Sequence, residues 1–333
     1  MSLVHQVLKS PYFAGRPPMV VDIGGAGGMQ SEWRGIAKHA HCVAFDADDR
    51  DFGETDERNT GWQRLSVFQS VVTPDANGTV EFHLTSSAHC SSTLLPNREG
   101  LQPWDFRELF EVVESVQLPA IDLSSALASL NVDYVDWFKT DSQGTDLRLW
   151  DSLPEEVKQH VAVASFEPGI LDSYQGEDKW HQVLARMDGP RWYLGRLEVR
   201  GTRRIDAGTL SHVSRLRRRV ALAGLATAPG WVEAWFLRNY TKADTPDARS
   251  LLMTWIASTQ LHQHGHAWSM ARLGSELHGA PIFQQCESAS ERALLLPSVT
   301  TVRRLLSSAG ARLRRAPGGL RRTLENGDWS LTR

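Results

Sequence analysis

Three carboxylates stand where apolar runs end. Asp46 closes "HCVAFD", Asp141 closes "YVDWFKTD" and Glu167 closes "HVAVASFE". Runs of this length and composition read as buried strands. An acid just past such a strand accepts hydrogen bonds from hydroxyl groups, moves a proton, or binds a hard cation through oxygen. Asp141 and Glu167 end successive strands in the pattern, so together they could orient a substrate hydroxyl or hold Mg²⁺. Lys139 lies two residues before Asp141, and His89 sits in the Ser-rich stretch "SSAHCSSTLLPN".

A second feature is the glycine cluster. The strand Met19–Ile23 runs directly into Gly24, Gly25, Ala26, Gly27 and Gly28. Glycine loses more entropy on folding than any other residue. Such a cluster therefore points to positive φ angles or to backbone lying against a packed helix or a ligand. The dinucleotide fingerprint G-x-G-x-x-G/A needs a small third residue, but counting from Gly25 and Gly27 reaches Gln30. The G-x-x-x-x-G-K-[ST] loop of nucleotide triphosphatases is absent.

These groups need a scaffold to position them. The pattern predicts a short helix in residues 1–10, a strand at 19–23, a helix over 31–39 and a strand ending at Asp46. A third strand falls within 61–72, and a hairpin over 73–85 turns at Asn77-Gly78. Strands at 134–141 and 160–167 flank a helix over 146–158. Strands alternating with helices argue for an α/β fold with a mainly parallel sheet. Ligands of such sheets bind outside the carboxyl ends of the strands, where strand order reverses. The glycine cluster and the three acids are thus expected on one edge. After Pro229-Gly230 the stretches "WVEAWFLRNY", "ARSLLMTWIASTQLHQ" and "SASERALLL" read as helices. The expected division is a domain over 1–229 and a helical C-terminal region over 230–333.

Bulk composition narrows the class. The chain has 333 residues, 41% of them hydrophobic and 23% charged, as in ordinary globular proteins. No apolar run approaches the ~20 residues that span a bilayer, so no membrane partner is expected. The first residues lack a secretory layout. The three cysteines suit a reducing compartment, so the expected location is the cytoplasm. Net charge is −3, yet residues 292–323 hold eight arginines and no acid. That stretch reads as a solvated helix face, with a polyanion-binding tail as the sharper alternative. His262 and His266 have the i, i+4 spacing of a zinc pair, without the Glu or third ligand that would complete one.

The sequence Asp22-x-Gly24-x-Ala26-x-Gly28, with Asp46 about twenty residues on, resembles the cofactor loop of class I S-adenosylmethionine-dependent methyltransferases. "VDWFKTDSQGTDLRLWDSL" at 135–153 resembles the signature of the FkbM family of methyltransferases, in which a strand ending in Lys-x-Asp precedes x-Gln-Gly-x-Glu and a helix. "LPAIDLSSAL", "SSTLLPN" and "SFEPGILDSYQGEDKW" resemble further segments of that family, in its order, over roughly residues 18–200. Asp146 stands where the family commonly has Glu. Thr140 and Ser142 replace its usual aliphatic residues, and the chain after about 230 lies outside the pattern.

The resemblance implies a Rossmann-like class I methyltransferase sheet with helices on both faces, plus a helical C-terminal extension. It implies S-adenosylmethionine as cofactor and methyl transfer to a hydroxyl of a small molecule, a sugar or another secondary metabolite. Cofactor-binding residues would be Asp22, Gly24, Gly25, Ala26 and Gly28 in the loop, Asp46 at the ribose, and Gln69 and Ser70 toward the adenine. Candidate bases are Asp141, Lys139 and His89; candidate Mg²⁺ ligands are Asp141 and Glu167. The C-terminal helices would close over the acceptor or form a homodimer contact. Two alternatives stand beside this reading: a non-catalytic binding or scaffolding protein of the same fold, and a nucleic-acid methyltransferase using the Arg-rich tail. The second is disfavoured, because the aromatic-flanked motifs of base flipping are missing.

Overall fold

The strand β1 (Met19–Ile23) is buried at every position, and its side chains alternate between two cores. Val20 enters one core; Met19, Val21 and Ile23 enter the other. Strand β2 (His41–Phe45) repeats this, with Cys42 and Ala44 on one side and Val43 and Phe45 on the other. Period-2 side-chain placement with both faces apolar is what a central parallel strand requires. The molecule is described from a computed structural model over residues 2–24, 29–48, 50, 61–75, 78–206, 208–209, 211 and 213–295.

The remaining strands are β3 (Arg64–Phe68), β4 (Val71–Val72), β5 (Thr79–Thr85), β6 (Val112–Ile121), β7 (Trp137–Thr140), β8 (Val163–Phe166), β9 (Trp192–Thr202) and β10 (Ala228–Arg238). Seven form one sheet in the order β3-β2-β1-β7-β8-β10-β9. The first five are parallel, and β10 runs antiparallel to both its neighbours. A smaller sheet has the order β4-β6-β5. The large sheet is thus mixed but mostly parallel, with helices on both faces. The helices Leu3–Leu8, Ala248–Gln260, His264–His278 and Pro281–Leu295 cover one face. The helices Leu123–Ser129, Asp146–Ser152 and Trp180–Met187 cover the other.

Four expectations change. The predicted helix over 31–39 is two 3-10 turns, Ser31–Trp33 and Ala37–His39. Gly35, a poor helix former, lies between them and packs against the Gln260 side chain. The expected hairpin over 73–85 does not form. Its arms β4 and β5 both pair with β6, which enters between them; Asn77 lies outside the described residues. "WVEAWFLRNY" is not a helix but most of β10. Its apolar run at 234–237 reflects burial on both faces, Ala234 and Phe236 on one side and Trp235 and Leu237 on the other. The sheet therefore continues past residue 229, and a boundary there falls inside β10. Finally, His262 has φ 58° and precedes the helix that begins at His264, so His262 and His266 share no helical face.

The helix Ala248–Gln260 shows how the C-terminal segment is integrated. Its residues from Arg249 to Ser258 are all buried. Its polar side chains are satisfied locally: the Thr254 and Ser258 hydroxyls donate to the carbonyls of Ser250 and Thr254 at 3.0 and 2.7 Å. Arg249 donates to both carboxylate oxygens of Asp136 at 2.8 and 2.7 Å, and Asp136 also accepts from the Met19 amide at 2.9 Å. One buried bidentate pair thus joins this helix to the start of β1. Replacing Arg249 by Ala strands the Asp136 charge in the core. It should lower the unfolding free energy by about 3–5 kcal/mol. Urea denaturation showing a loss under about 1 kcal/mol, the range of exposed pairs, would refute that role.

Candidate functional site

β1 and its neighbour β7 are connected in opposite directions across the sheet: β2 and β3 follow on one side of β1, β8 on the other side of β7. A crevice opens outside the carboxyl ends at such a point. Here the backbones come very close. Gly24 has φ +74°, and a Cβ there would run into the Asp141 carbonyl oxygen. The Gly24 amide donates to the Phe45 carbonyl and the Asp141 amide to the Ile23 carbonyl, both at 3.0 Å. The first glycine of the cluster is therefore required by positive φ and by close approach together. Gly25, Ala26 and Gly28 lie outside the described residues.

Lys139 locks this junction. Its Nζ lies 2.9 Å from the Gly24 carbonyl, 3.4 Å from the Ile23 carbonyl and 3.0 Å from Asp22 Oδ1. Burial opposes the ammonium charge, but Asp22 and Asp141 outweigh it, and its pKa is raised. Lys139 is thus held charged. Asp22 faces Lys139 and is not among the described residues bordering either cavity below.

Two cavities flank the loop after β7. The first is bordered by Gly24, Asp46, Asp48, Ser70, His89 and Asp141, among others, on the β1–β3 side. At about 110 Å³ it is tight. The second, about 340 Å³, lies on the β8–β10 side. It is bordered by the rings of Phe106, Phe110, Tyr174 and Trp231 and by the carboxyls of Asp141, Glu167 and Glu177. His89, Asp141 and Gln143 border both.

The wall between them is tightly specified. Gln143 adopts φ 56°, a left-handed conformation uncommon for a residue with a Cβ. Its Nε2 donates to Asp141 Oδ1 at 2.5 Å. Its carbonyl accepts from the Ser92 hydroxyl at 2.8 Å, and the Tyr174 hydroxyl lies 3.0 Å from its Oε1. The following residue, Gly144, has φ +105°. The Gln-Gly pair thus makes a turn that aims the Asp141 side chain.

The acids differ in their surroundings. Burial raises the pKa of Asp46 to about 6, although the Asp48 amide donates to it at 2.9 Å. Beside it, Arg50 ties Asp48 to the Thr85 carbonyl at the end of β5 and to the Ser91 hydroxyl. Burial, then the charges of Asp141 and Glu233, pushes Glu167 up to about 9. Burial also raises Asp141, against the pull of Lys139. With the Asp141 charge beside it, Glu167 keeps its proton at neutral pH, so the pair carries one proton between them. Burial pushes Asp146 to about 7. Its Oδ1 accepts from the Thr140 hydroxyl at 3.0 Å and the Ser142 amide at 3.3 Å, while Oδ2 has no partner among the described residues.

Of the residues expected from sequence, Gly24, Asp46, Ser70, His89, Asp141 and Glu167 border the two cavities. Gln69 is exposed and borders neither. Among the described residues no group of three or more His, Cys, Asp or Glu is arranged to hold a metal ion. Phe106, Phe110, Glu177 and Trp231 carry no spacing signal, and only the fold brings them together. Comparisons with protein-family models, with curated proteins and with solved structures find no match.

Two substitutions test this construction. Gly24→Ala should destabilise by at least about 1–3 kcal/mol, the usual cost of a disfavoured backbone conformation. Unchanged stability in urea would remove the close-approach argument. Asp146→Asn tests the buried acid. A carboxyl whose folded pKa lies above its unfolded one weakens the fold as pH rises from about 4 to about 7, and the loss persists above that. The Asn variant should gain stability relative to the parent across that window and hold the gain to pH 8. Parallel stability–pH curves would refute it.

Proposed function

We propose that the chain is a Rossmann-like class I methyltransferase that transfers a methyl group from S-adenosylmethionine to a hydroxyl of a small polyhydroxylated molecule. The observation carrying this reading is the pair of cavities meeting at Asp141, Gln143 and His89, on the carboxyl edge beside the point where strand order reverses. A group-transfer enzyme needs two adjoining sites with the reacting atoms at their shared wall.

The first cavity suits the cofactor. Its small residues Gly24, Ala47 and Ala88 leave room for apolar and backbone contacts. Asp46, desolvated and bonded among the described residues to the Asp48 amide, is ready to accept from ribose hydroxyls. At about 110 Å³ the cavity is below the ~300–1,000 Å³ of ordinary ligand sites, so a nucleoside must widen it. When bound, the cofactor supplies an electrophilic methyl group. The second cavity suits the acceptor: four rings give flat apolar walls, and three carboxyls accept from hydroxyls.

The chain's own residues then order and deprotonate the acceptor. Asp141, aimed by Gln143, accepts from the acceptor hydroxyl and draws its proton toward the Asp141–Glu167 pair. His89 stands at the shared mouth as the route by which that proton leaves. Lys139, held charged, acts as a positioning residue for the junction and not as a base. Asp141 and Glu167 are also the residues that would hold Mg²⁺. EDTA sensitivity of methyl transfer would assign them that role.

Calorimetry with S-adenosylmethionine and S-adenosylhomocysteine tests the reading. Both should bind the parent. Asp46→Ala should bind ten- to hundred-fold more weakly, from about 1.5–3 kcal/mol for a hydrogen bond to a charged acceptor. Affinity should also fall below about pH 6, where Asp46 takes up a proton and no longer accepts as a carboxylate. No heat with either compound would favour a non-catalytic protein of this fold. Equal affinity of Asp46→Ala would remove the ribose assignment.

A further inference from the structure

The connection from β9 to β10 carries a helix, Arg215–Gly224, in which no residue is buried. Leu216 is 72% exposed and Val220 67%. With Ala223 they form one stripe at i, i+4 and i+7 spacing. Arg215, Arg217, Arg218 and Arg219 project around it, and residues 207–232 contain no acid. None of these four arginines has an ion-pair or hydrogen-bond partner among the described residues. The arginines are well solvated, but the apolar stripe between them is left in water, and a surface combining the two suits an anionic, partly apolar partner.

Charge decides what covers it. The C-terminal stretch 292–323 carries eight arginines and no acid, so it repels this helix. A second copy would bring the same four cations. A nucleic acid would neutralise the arginines but leave Leu216 and Val220 in water. An anionic bilayer surface does both: its headgroups face the guanidinium groups, and its acyl boundary takes the apolar stripe. We propose that the helix Arg215–Gly224 docks the protein peripherally on anionic lipid surfaces.

The topology gives that docking an orientation. Thr202, ending β9, pairs with Ala228, opening β10. β9 runs parallel to the first five strands, so the insertion leaves from the carboxyl edge. Its first residues are tied to the segment before Phe106: the Asp105 amide donates to the Arg203 carbonyl at 2.9 Å and the Ile205 amide to the Pro103 carbonyl at 2.7 Å. Phe106, Gly230 and Trp231 border the second cavity. Docking through the helix therefore sets that edge of the sheet toward the lipid.

Co-sedimentation of the full chain with vesicles tests the proposal. The protein should pellet with phosphatidylcholine vesicles containing about one-third phosphatidylserine and not with phosphatidylcholine alone, since each basic residue at an anionic surface contributes about 1 kcal/mol. Arg217→Gln and Arg218→Gln together should lower partitioning about thirty-fold on that scale. Leu216→Ser with Val220→Ser should lower it too. These side chains are exposed, so circular dichroism and thermal melting should match the parent. Binding unchanged in both double variants would overturn the proposal by assigning adhesion to another segment, residues 292–323 foremost. Equal pelleting with neutral vesicles would overturn it. So would a duplex oligonucleotide that binds through the arginines while ignoring Leu216 and Val220, or a dimer in sedimentation velocity that dissociates on Leu216→Ser.

Discussion

The junction between β1 and β7 is the constraint on which the site depends. Two backbones approach until no Cβ fits at Gly24, and one buried ammonium, that of Lys139, reaches across to the carbonyls of Ile23 and Gly24. A lone buried cation is expensive, and it persists here because Asp22 and Asp141 face it. The same arrangement fixes where Asp141 begins its turn. Both cavities share that residue as a wall, so their relative position is set by this contact. A change at Gly24 or Lys139 would therefore disturb the two cavities together.

The acids around the junction form a graded set. Asp22 and Asp141 face the buried lysine, whereas at Glu167 burial and the charges of Asp141 and Glu233 outweigh Lys139 and push it to about 9. Asp46 lies farther out, near 6. Desolvation is the first cause of each upward shift, and the neighbouring charges sort them. The outcome is one carboxyl pair that holds a proton and one separate acid that gives its proton up just below neutrality. Environment gives chemically similar groups different tasks, as expected where burial and like charges are combined.

Much of the scaffold was legible because its signals are local. β1 and β2 were readable from β-branched and apolar runs, and the acids at 46, 141 and 167 were readable as strand ends. What escaped was decided by contacts distant in sequence. β10 looked helical because a strand buried on both faces loses the alternation that marks one exposed face. β4 and β5 looked like a hairpin because Asn77-Gly78 is a strong turn signal, and nothing nearby announces that β6 will enter between them. Gly35 packs against Gln260, more than two hundred residues away, a contact that no local pattern announces. In the site, Gln143 and Gly144 could be read from their motif. The ring wall could not: Tyr174 lies in a motif, but Phe106 and Phe110 on one turn and Trp231 on β10 come from segments far apart in the chain.

The C-terminal segment makes the same point about domains. Read alone, residues after 229 are rich in helix and look separable. In the fold they supply β10, which joins β8 to β9, and the helix Ala248–Gln260, which fills one face of the sheet. Arg249 then ties that helix to Asp136, immediately before β7, and Asp136 holds the first amide of β1. The two strands that meet at the crevice are thus braced at their opposite ends by a residue from the last third of the chain. The carboxyl ends can come close at Gly24 and Asp141 because the amino ends are held in register by Asp136. Packing on the far side of the sheet is in this way part of what positions the site, and cutting the chain near residue 229 would remove that brace along with a strand.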